Sequence, residues 1–237
     1  MPMSKLAEGK TKSVFSTTSP DEVVLEFKDD ITAGDGKKHA ILTGKGRINA
    51  SMTVTLYRFL EKQGLPTHLI RRTDENRLLV RRLKMIPIEV VCRMRAAGHI
   101  VGLGKYFKHR EKLKTPIIEF YLKDDALHDP FINRYHVIAL GLANEKEIAE
   151  IERITERAAA ALERLFEDRN MILADFKIEF GRGKDGKIAI GDELSPDSMR
   201  IWDKQTLEIL DKDRFRKDMP KIFELAYEEP FRRISRE

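Results

Sequence analysis

Along residues 172–180 the even positions Ile172, Ala174, Phe176, Ile178 and Phe180 are apolar, whereas Asp175, Lys177 and Glu179 are charged. A period of two predicts a strand with its charged groups on one face, neighbours about 6–7 Å apart. A second strand over 187–192, reached through Gly183-Lys184-Asp185-Gly186, makes a hairpin that returns Asp192 to the charged strand. Helical spacing appears over 47–62, where Ile48, Met52, Leu56, Phe59 and Leu60 recur before Gly64 and Pro66. It appears again over 145–169, where Asn144 and Glu147 form a capping box ahead of Ile148, Ile151, Thr155, Ala158, Leu162 and Leu165.

The first third reads as short β segments: 6–15 interrupted by Gly9, 23–27, then a polar glycine-rich loop over 29–38. Next come a hairpin over 67–72 and 77–83, a strand over 88–94 after Pro87, and another over 116–122. The stretch 213–228 is expected to be helical, with Pro220 as a kink or boundary. Strands and helices in irregular order predict an α+β fold, not alternating βαβ units.

With 237 residues, 41% hydrophobic and 35% charged, the chain can bury a core without disulfides or structural metals. The single cysteine, Cys92, forbids an internal disulfide and a cysteine-based zinc cage, and points to a reducing, cytoplasmic setting. No apolar run reaches membrane-spanning length and the opening residues lack a hydrophobic signal core, so a soluble, unprocessed chain with no membrane partner is expected. The net charge of +5 is interleaved along the sequence and suits anionic small substrates as well as nucleic acid. The six histidines show no zinc spacing.

Asp175, Lys177 and Glu179, joined by Asp192, have the composition of a magnesium and phosphate site: carboxylates for a hard cation, an ammonium for an anionic oxygen. A solvated polar sheet face is the plain alternative. In Glu8-Gly9-Lys10-Thr11-Lys12 a glycine permits close approach of backbone to phosphate and two lysines supply charge, although the stretch is not a Walker motif and an ordinary hairpin turn explains it equally. Residues 30–38, with Gly34 and Gly36 around Asp35, read as a substrate loop or simply a long turn. Arg93 and Arg95 fall on one strand face before Ala96-Ala97-Gly98-His99, an arrangement for a phosphate or for structural ion pairs.

These segments together closely resemble the phosphoribosylaminoimidazole-succinocarboxamide synthases, or SAICAR synthetases. The resemblance spans nearly the whole chain and rests on Glu8 to Lys12, Thr32 to Lys37, Ile86 to Arg93, Arg95 to Gly98 and Lys123 to Pro130. Most specific are Asp175-Phe176-Lys177-Ile178-Glu179-Phe180-Gly181 and Asp192-Glu193-Leu194-Ser195-Pro196-Asp197-Ser198-Met199-Arg200-Ile201-Trp202-Asp203. It implies a two-lobed α+β fold related to ATP-grasp and protein-kinase folds: a β-rich ATP-binding lobe over 1–84 and a substrate- and metal-binding lobe over 85–237. The implied reaction joins L-aspartate to the carboxylate of carboxyaminoimidazole ribonucleotide, with ATP as co-substrate, Mg²⁺ as cofactor and an acyl phosphate as intermediate.

On the resemblance Gly9, Lys10, Lys12 and Lys123 bind the nucleotide, with Arg82, Leu83, Lys84 and Met85 as an adenine hinge. Glu179 and Asp192 hold Mg²⁺ near Asp175, and Lys177 steadies the reacting oxygens. Arg93 and Arg200 grip the ribotide phosphate, while Asp35, Gly36, Ser195 and Asp197 shape the ribotide and aspartate sites without being divided between them. His99 stands where the family usually has Ser, and Met94 where it usually has Asn; a protonated imidazole there implies pH-dependent ribotide affinity. A homodimer is expected by analogy. Two rival readings stay open on the residues alone. A kinase-like small-molecule phosphotransferase would carry the same nucleotide and metal parts. A basic RNA-binding module would use Arg71-Arg72, Arg81-Arg82 and Arg232-Arg233, but these pairs lack interleaved aromatic residues.

Overall fold

A computed structural model describes residues 4–34 and 36–236. In chain order its elements begin with β1 (Lys5–Glu8), β2 (Lys12–Ser16), β3 (Glu22–Phe27), β4 (Asp30–Ala33), β5 (Lys38–Ile41) and α1 (Lys45–Lys62). Then come β6 (Leu69–Asp74), β7 (Arg77–Arg81), β8 (Lys84–Arg95), β9 (Lys112–Leu122), β10 (Phe131–Ile132), α2 (Arg134–Ala139) and α3 (Glu145–Asp168). The chain closes with β11 (Met171–Arg182), β12 (Ile188–Gly191), β13 (Met199–Asp203), α4 (Asp213–Arg216), a π-helical turn (Glu224–Glu228) and α5 (Glu229–Ile234).

One antiparallel sheet has the order β1-β2-β3-β7-β6; a second has β10-β9-β8-β11-β12, with β13 also on β11. β8 occupies one edge of β11 along residues 175–182, so β13, at 171–176, and β12, at 179–182, share the other edge end to end. Where they part, Lys177 N donates instead to Ser198 O at 2.7 Å. A continuous apolar core runs through both sheets: Leu56 and Leu60 of α1 belong to it with Leu25 and Leu78, as do Ile151 and Leu162 of α3 with Val90 and Ile178. Asn144 and Glu147 cap α3 reciprocally, as their spacing predicts. No helix among the described residues is long and apolar enough to cross a membrane.

Four expectations need correction. Residues 29–38 are not a plain loop, because β4 and β5 pair as a hairpin. β8 starts at Lys84 and runs through Pro87, which sits where the pairing with β11 shifts register, a place where a missing N–H costs no ladder bond. In β11 a bulge between Leu173 and Asp175 reverses the alternation: Ile172 and Ala174 pack with Trp202, on the side opposite Phe176, Ile178 and Phe180. The C-terminal helical segment extends past Glu228 to Ile234, and Pro230, lacking an N–H, lies just beyond its π turn.

α1 opens without a side-chain cap of its own; the Asp29 carboxylate accepts from Gly44 N at 3.1 Å and Gly46 N at 2.9 Å. That contact brings Gly46 so close to β3 that a Cβ there would stand 2.5 Å from the Phe27 carbonyl oxygen. Gly46→Ala is therefore expected to destabilise the protein by about 1–3 kcal/mol, read as a lower urea midpoint with an unchanged m-value.

Candidate active site

The β8–β11 register sets Arg93 opposite Asp175, Val91 opposite Lys177 and Glu89 opposite Glu179; on β9, Glu119 and Tyr121 lie opposite Val91 and Glu89. One face of three adjacent strands is thus lined with charge, while Val90, Cys92, Phe176 and Ile178 fill the other. Strand alternation alone produces this division.

At one end of that face Asp175 is buried and its Oδ2 accepts from Arg93 Nη1 at 2.7 Å and Arg200 Nη1 at 2.9 Å. Arg93 Nε is held by Glu119 at 2.9 Å, and Arg200 Nε by Asp213 at 3.3 Å. Two guanidiniums are thereby fixed side by side. Gly98, at φ 65°, admits them: a Cβ there would lie 3.0 Å from Arg200 Nη1 and 3.2 Å from Arg93 Nη1. Asp175 thus orients the arginines. Arg95 does not share their face; after the irregularity between Arg93 and Arg95 it lies with Glu163 and Glu167 of α3. His99 Nδ1 lies 3.0 Å from the Tyr121 hydroxyl and 3.2 Å from Arg93 Nη2, and its Nε2 stands 3.4 Å from Glu119 Oε1.

Toward the middle and far end the carboxylates meet lysines. Lys123 Nζ contacts both oxygens of Glu179 at 2.7 and 2.8 Å; Lys177 pairs with Glu89 and stands 3.7 Å from Glu179. Lys12 reaches across from the first sheet to Asp192 at 2.7 Å and Glu193 at 2.6 Å, and Lys10 pairs with Asp125 at 2.9 Å. Burial raises the Glu179 carboxyl above its ordinary value and Asp192 adds to this, with Lys177 and Lys123 opposing. Burial also works against the charged form of Lys12, yet Asp192 and Glu193 hold it above the ordinary lysine range. Asp192 itself adopts φ 59°. Behind it, Tyr57 donates to Gly191 O at 2.6 Å. Leu83 and Met85 lie against Gly181 and Gly191, Lys84 pairs in register with Arg182, and Arg82 N donates to Asp21 O at 2.8 Å. Gly9 closes the β1–β2 turn on Lys12 O at 2.8 Å.

The loop between β12 and β13 is tied down by its own side chains. Ser195 is fully buried and its hydroxyl bonds Glu193 and Asp197 N, so it is not offered to the cleft. Asp197 Oδ2 meets Lys45 Nζ at 2.6 Å and Asn49 Nδ2 at 2.8 Å, and Oδ1 accepts from the Tyr227 hydroxyl at 2.7 Å. Burial, reinforced by Asp197, keeps that hydroxyl protonated and hence a donor.

A cavity of about 420 Å³ gathers part of this constellation: Lys10, Gly36, Arg93, Asp175, Lys177, Asp197 and Arg200 of the expected residues. Asp35 lies outside the described residues, and Gly9, Lys12, Lys123, Glu179, Asp192, Ser195, His99 and residues 82–85 do not line that cavity. Glu89, Lys212 and Arg216 also line it and were not among the expected site residues. Glu89 was legible from the alternation of β8. Lys212 and Arg216 reach the cleft only through the tertiary fold. Lys212 is buried and forms no ion pair among the described residues; burial lowers its ammonium below the ordinary value although Asp197 opposes this.

The molecule is thus an α+β protein whose cleft sets two arginines, fixed by Asp175, beside a lysine- and carboxylate-lined wall. The SAICAR synthetase family model matches residues 5–234. The phosphoribosylaminoimidazole-succinocarboxamide synthase of Desulfitobacterium hafniense strain Y51 is 45% identical over 231 residues, covering 97% of this chain and 95% of that protein. That of Acidithiobacillus ferrooxidans strain ATCC 53993 is 47% identical over 230 residues, covering 97% and 94%. The solved enzyme from Ehrlichia chaffeensis superposes with a TM-score of 0.93 at 36% identity, covering 98% of each chain. A SAICAR synthetase solved in complex with ADP gives 0.92 at 42% identity, covering 97% of each. This chain belongs to the SAICAR synthetase family, ATP-dependent carbon–nitrogen ligases of purine biosynthesis.

Asp211 supports the cleft from behind, accepting from Ile201 N and Asp213 N, each at 2.7 Å. Burial, then the neighbouring Asp213 charge, push its carboxyl up to about 7. The native state therefore binds this proton more tightly than the unfolded chain, and the associated stability, full below about pH 4, is lost as pH rises towards 7. Relative to Asp211→Asn, the wild-type thermal midpoint is expected to fall across that interval.

Proposed function

We propose that this chain joins L-aspartate to the carboxylate of carboxyaminoimidazole ribonucleotide at the expense of ATP, through an acyl phosphate. The observation that carries the reading is the division of labour along one strand: Asp175 fixes two arginines, Lys177 occupies the middle, and Glu179 faces Asp192. A ribotide phosphate lies on Arg93 and Arg200, whose planar forks suit a dianion. Lys212 and Arg216, on another part of the cavity wall, take the two carboxylates of L-aspartate. The nucleotide phosphates lie on the Gly9 turn with Lys10, Lys12 and Lys123, beside the hinge over 82–85. The division into lobes over 1–84 and 85–237, and assembly as a homodimer, belong to the same reading.

The residues fit a magnesium ion. Glu179 and Asp192 are hard oxygen donors; burial, then the Asp192 charge, raises the Glu179 carboxyl, and a divalent cation relieves the repulsion between the two. Among the described residues no three His, Cys, Asp or Glu side chains form a cage. When bound, Mg²⁺ supplies charge neutralisation at the transferring phosphoryl group.

In the first step a carboxylate oxygen of the ribotide bonds to the γ-phosphorus as the bond to the ADP oxygen breaks. In the second, the aspartate amine nitrogen bonds to the activated carbon, phosphate departs with the C–O electron pair, and the proton the amine gives up is taken by that phosphate. Lys177 holds the carboxylate and phosphoryl oxygens together, so its contribution is positioning and charge stabilisation. Burial disfavours its charge, but Glu179 and Glu89 keep it protonated.

ADP release with Mg²⁺, ATP, the ribotide and L-aspartate, each omitted in turn, tests the reading. Dependence on all four, with a product of the succinocarboxamide mass, is the expected outcome; ADP formed without aspartate, with a phosphorylated product accumulating, would mark a phosphotransferase. Lys177→Met is expected to lower kcat by about 10²–10³-fold. Arg200→Lys, which loses the fork, is expected to raise the ribotide KM about tenfold, or about 1.4 kcal/mol, in initial-rate measurements.

A further inference from the structure

The wall of the cleft that carries Lys212 rests on the end of the chain. Tyr227 is fully buried on the π turn, its hydroxyl 2.7 Å from Asp197 Oδ1, while its ring stacks on Phe223 at 6.4 Å and lies 5.8 Å from Lys45 Nζ. The same turn closes a small core, separate from the main one, in which Ala226 and Tyr227 pack with Ile31 of β4, Ile48 of α1 and Phe215 of α4. The β4–β5 hairpin, the Asp197 loop and the α4 segment therefore all lean on one turn of helix. A π turn holds one residue more than an α turn, and so rotates the helix on its N-terminal side by about 100° relative to the helix on its C-terminal side. Here it lets Tyr227 face the cleft wall while Ile234 joins the main core.

We propose that Tyr227 is a positioning residue for the amino-acid side of the cleft: its hydroxyl fixes Asp197 against Lys45 and Asn49, and so holds the loop to which Lys212 is tied through its N–H to Pro196 O at 3.5 Å. The inference rests on the proposed function, in which Lys212 and Arg216 receive the aspartate carboxylates. Asp197 has one oxygen occupied by Lys45 and Asn49 and the other by Tyr227. A carboxylate so engaged acts on a substrate through its neighbours. Removing the hydroxyl frees one oxygen to turn towards Lys212 and neutralise the cation that aspartate needs.

Tyr227→Phe keeps the ring and deletes the hydrogen bond. It is expected to raise the KM for L-aspartate about tenfold while leaving the KM values for ATP and ribotide nearly unchanged. Asp197→Asn, which leaves no carboxylate to turn on Lys212, is expected to abolish the effect of Tyr227→Phe, so that the double variant has the aspartate KM of Asp197→Asn alone. Tyr227→Ala, which also empties the small core, is expected to lower the thermal midpoint, separating packing from positioning. An aspartate KM within twofold of wild type in Tyr227→Phe, when Lys212→Met raises it, overturns the proposal and leaves the assignment of the wall intact. An equal rise in all three KM values overturns it as a general structural effect. Lys212→Met without effect on the aspartate KM refutes the assignment of that wall and the proposal with it.

Discussion

Lys12 leaves the first sheet and ends between Asp192 and Glu193, about 180 positions later in the chain, with little of any of the three side chains exposed. A buried charge must be paired, and removing one partner from such a group costs about 3–5 kcal/mol. The glycine turn at β1–β2, the end of β12 and the loop beyond it are consequently held as a unit. The same requirement recurs at Asp175 between Arg93 and Arg200, and at Asp197 between Lys45 and Tyr227. Each pair joins segments remote in sequence, so the cleft is a set of neutralised junctions between elements that share a core.

This pairing shapes the chemistry. A site whose lysines already oppose carboxylates is electrostatically organised before any ligand arrives; on the proposed reading little reorientation is needed when phosphate and metal exchange for the internal partners. Lys212 differs in lacking an ion-pair partner among the described residues; burial works against its charge while Asp197 supports it.

Much of this was legible in the sequence wherever the signal was local. The Asn144–Glu147 box, the α1 periodicity and the alternation that puts Asp175, Lys177 and Glu179 on one face all arise from short-range geometry. The bulges were not legible. The one after Leu173 exists because β13 pairs there, and the one before Arg95 because β9 does, so each depends on a partner strand that no local pattern reveals. Lys212 and Arg216, and Tyr227 behind them, escaped for a similar reason: their own neighbourhoods in sequence are ordinary, and only the packing of the chain's end on α1 and β4 brings the first two to the cleft and the third beneath it.

Asp192, at φ 59°, occupies a backbone region that asparagine and aspartate enter more readily than other residues with a side chain, glycine apart. The Lys12 ammonium beside it asks for a carboxylate, and the backbone asks for a short polar side chain or none. Glutamate meets only the first demand, while asparagine and glycine meet only the second. The alphabet open to this position therefore contracts to one letter, and the reach of the carboxylate is fixed at a single methylene by the turn that carries it.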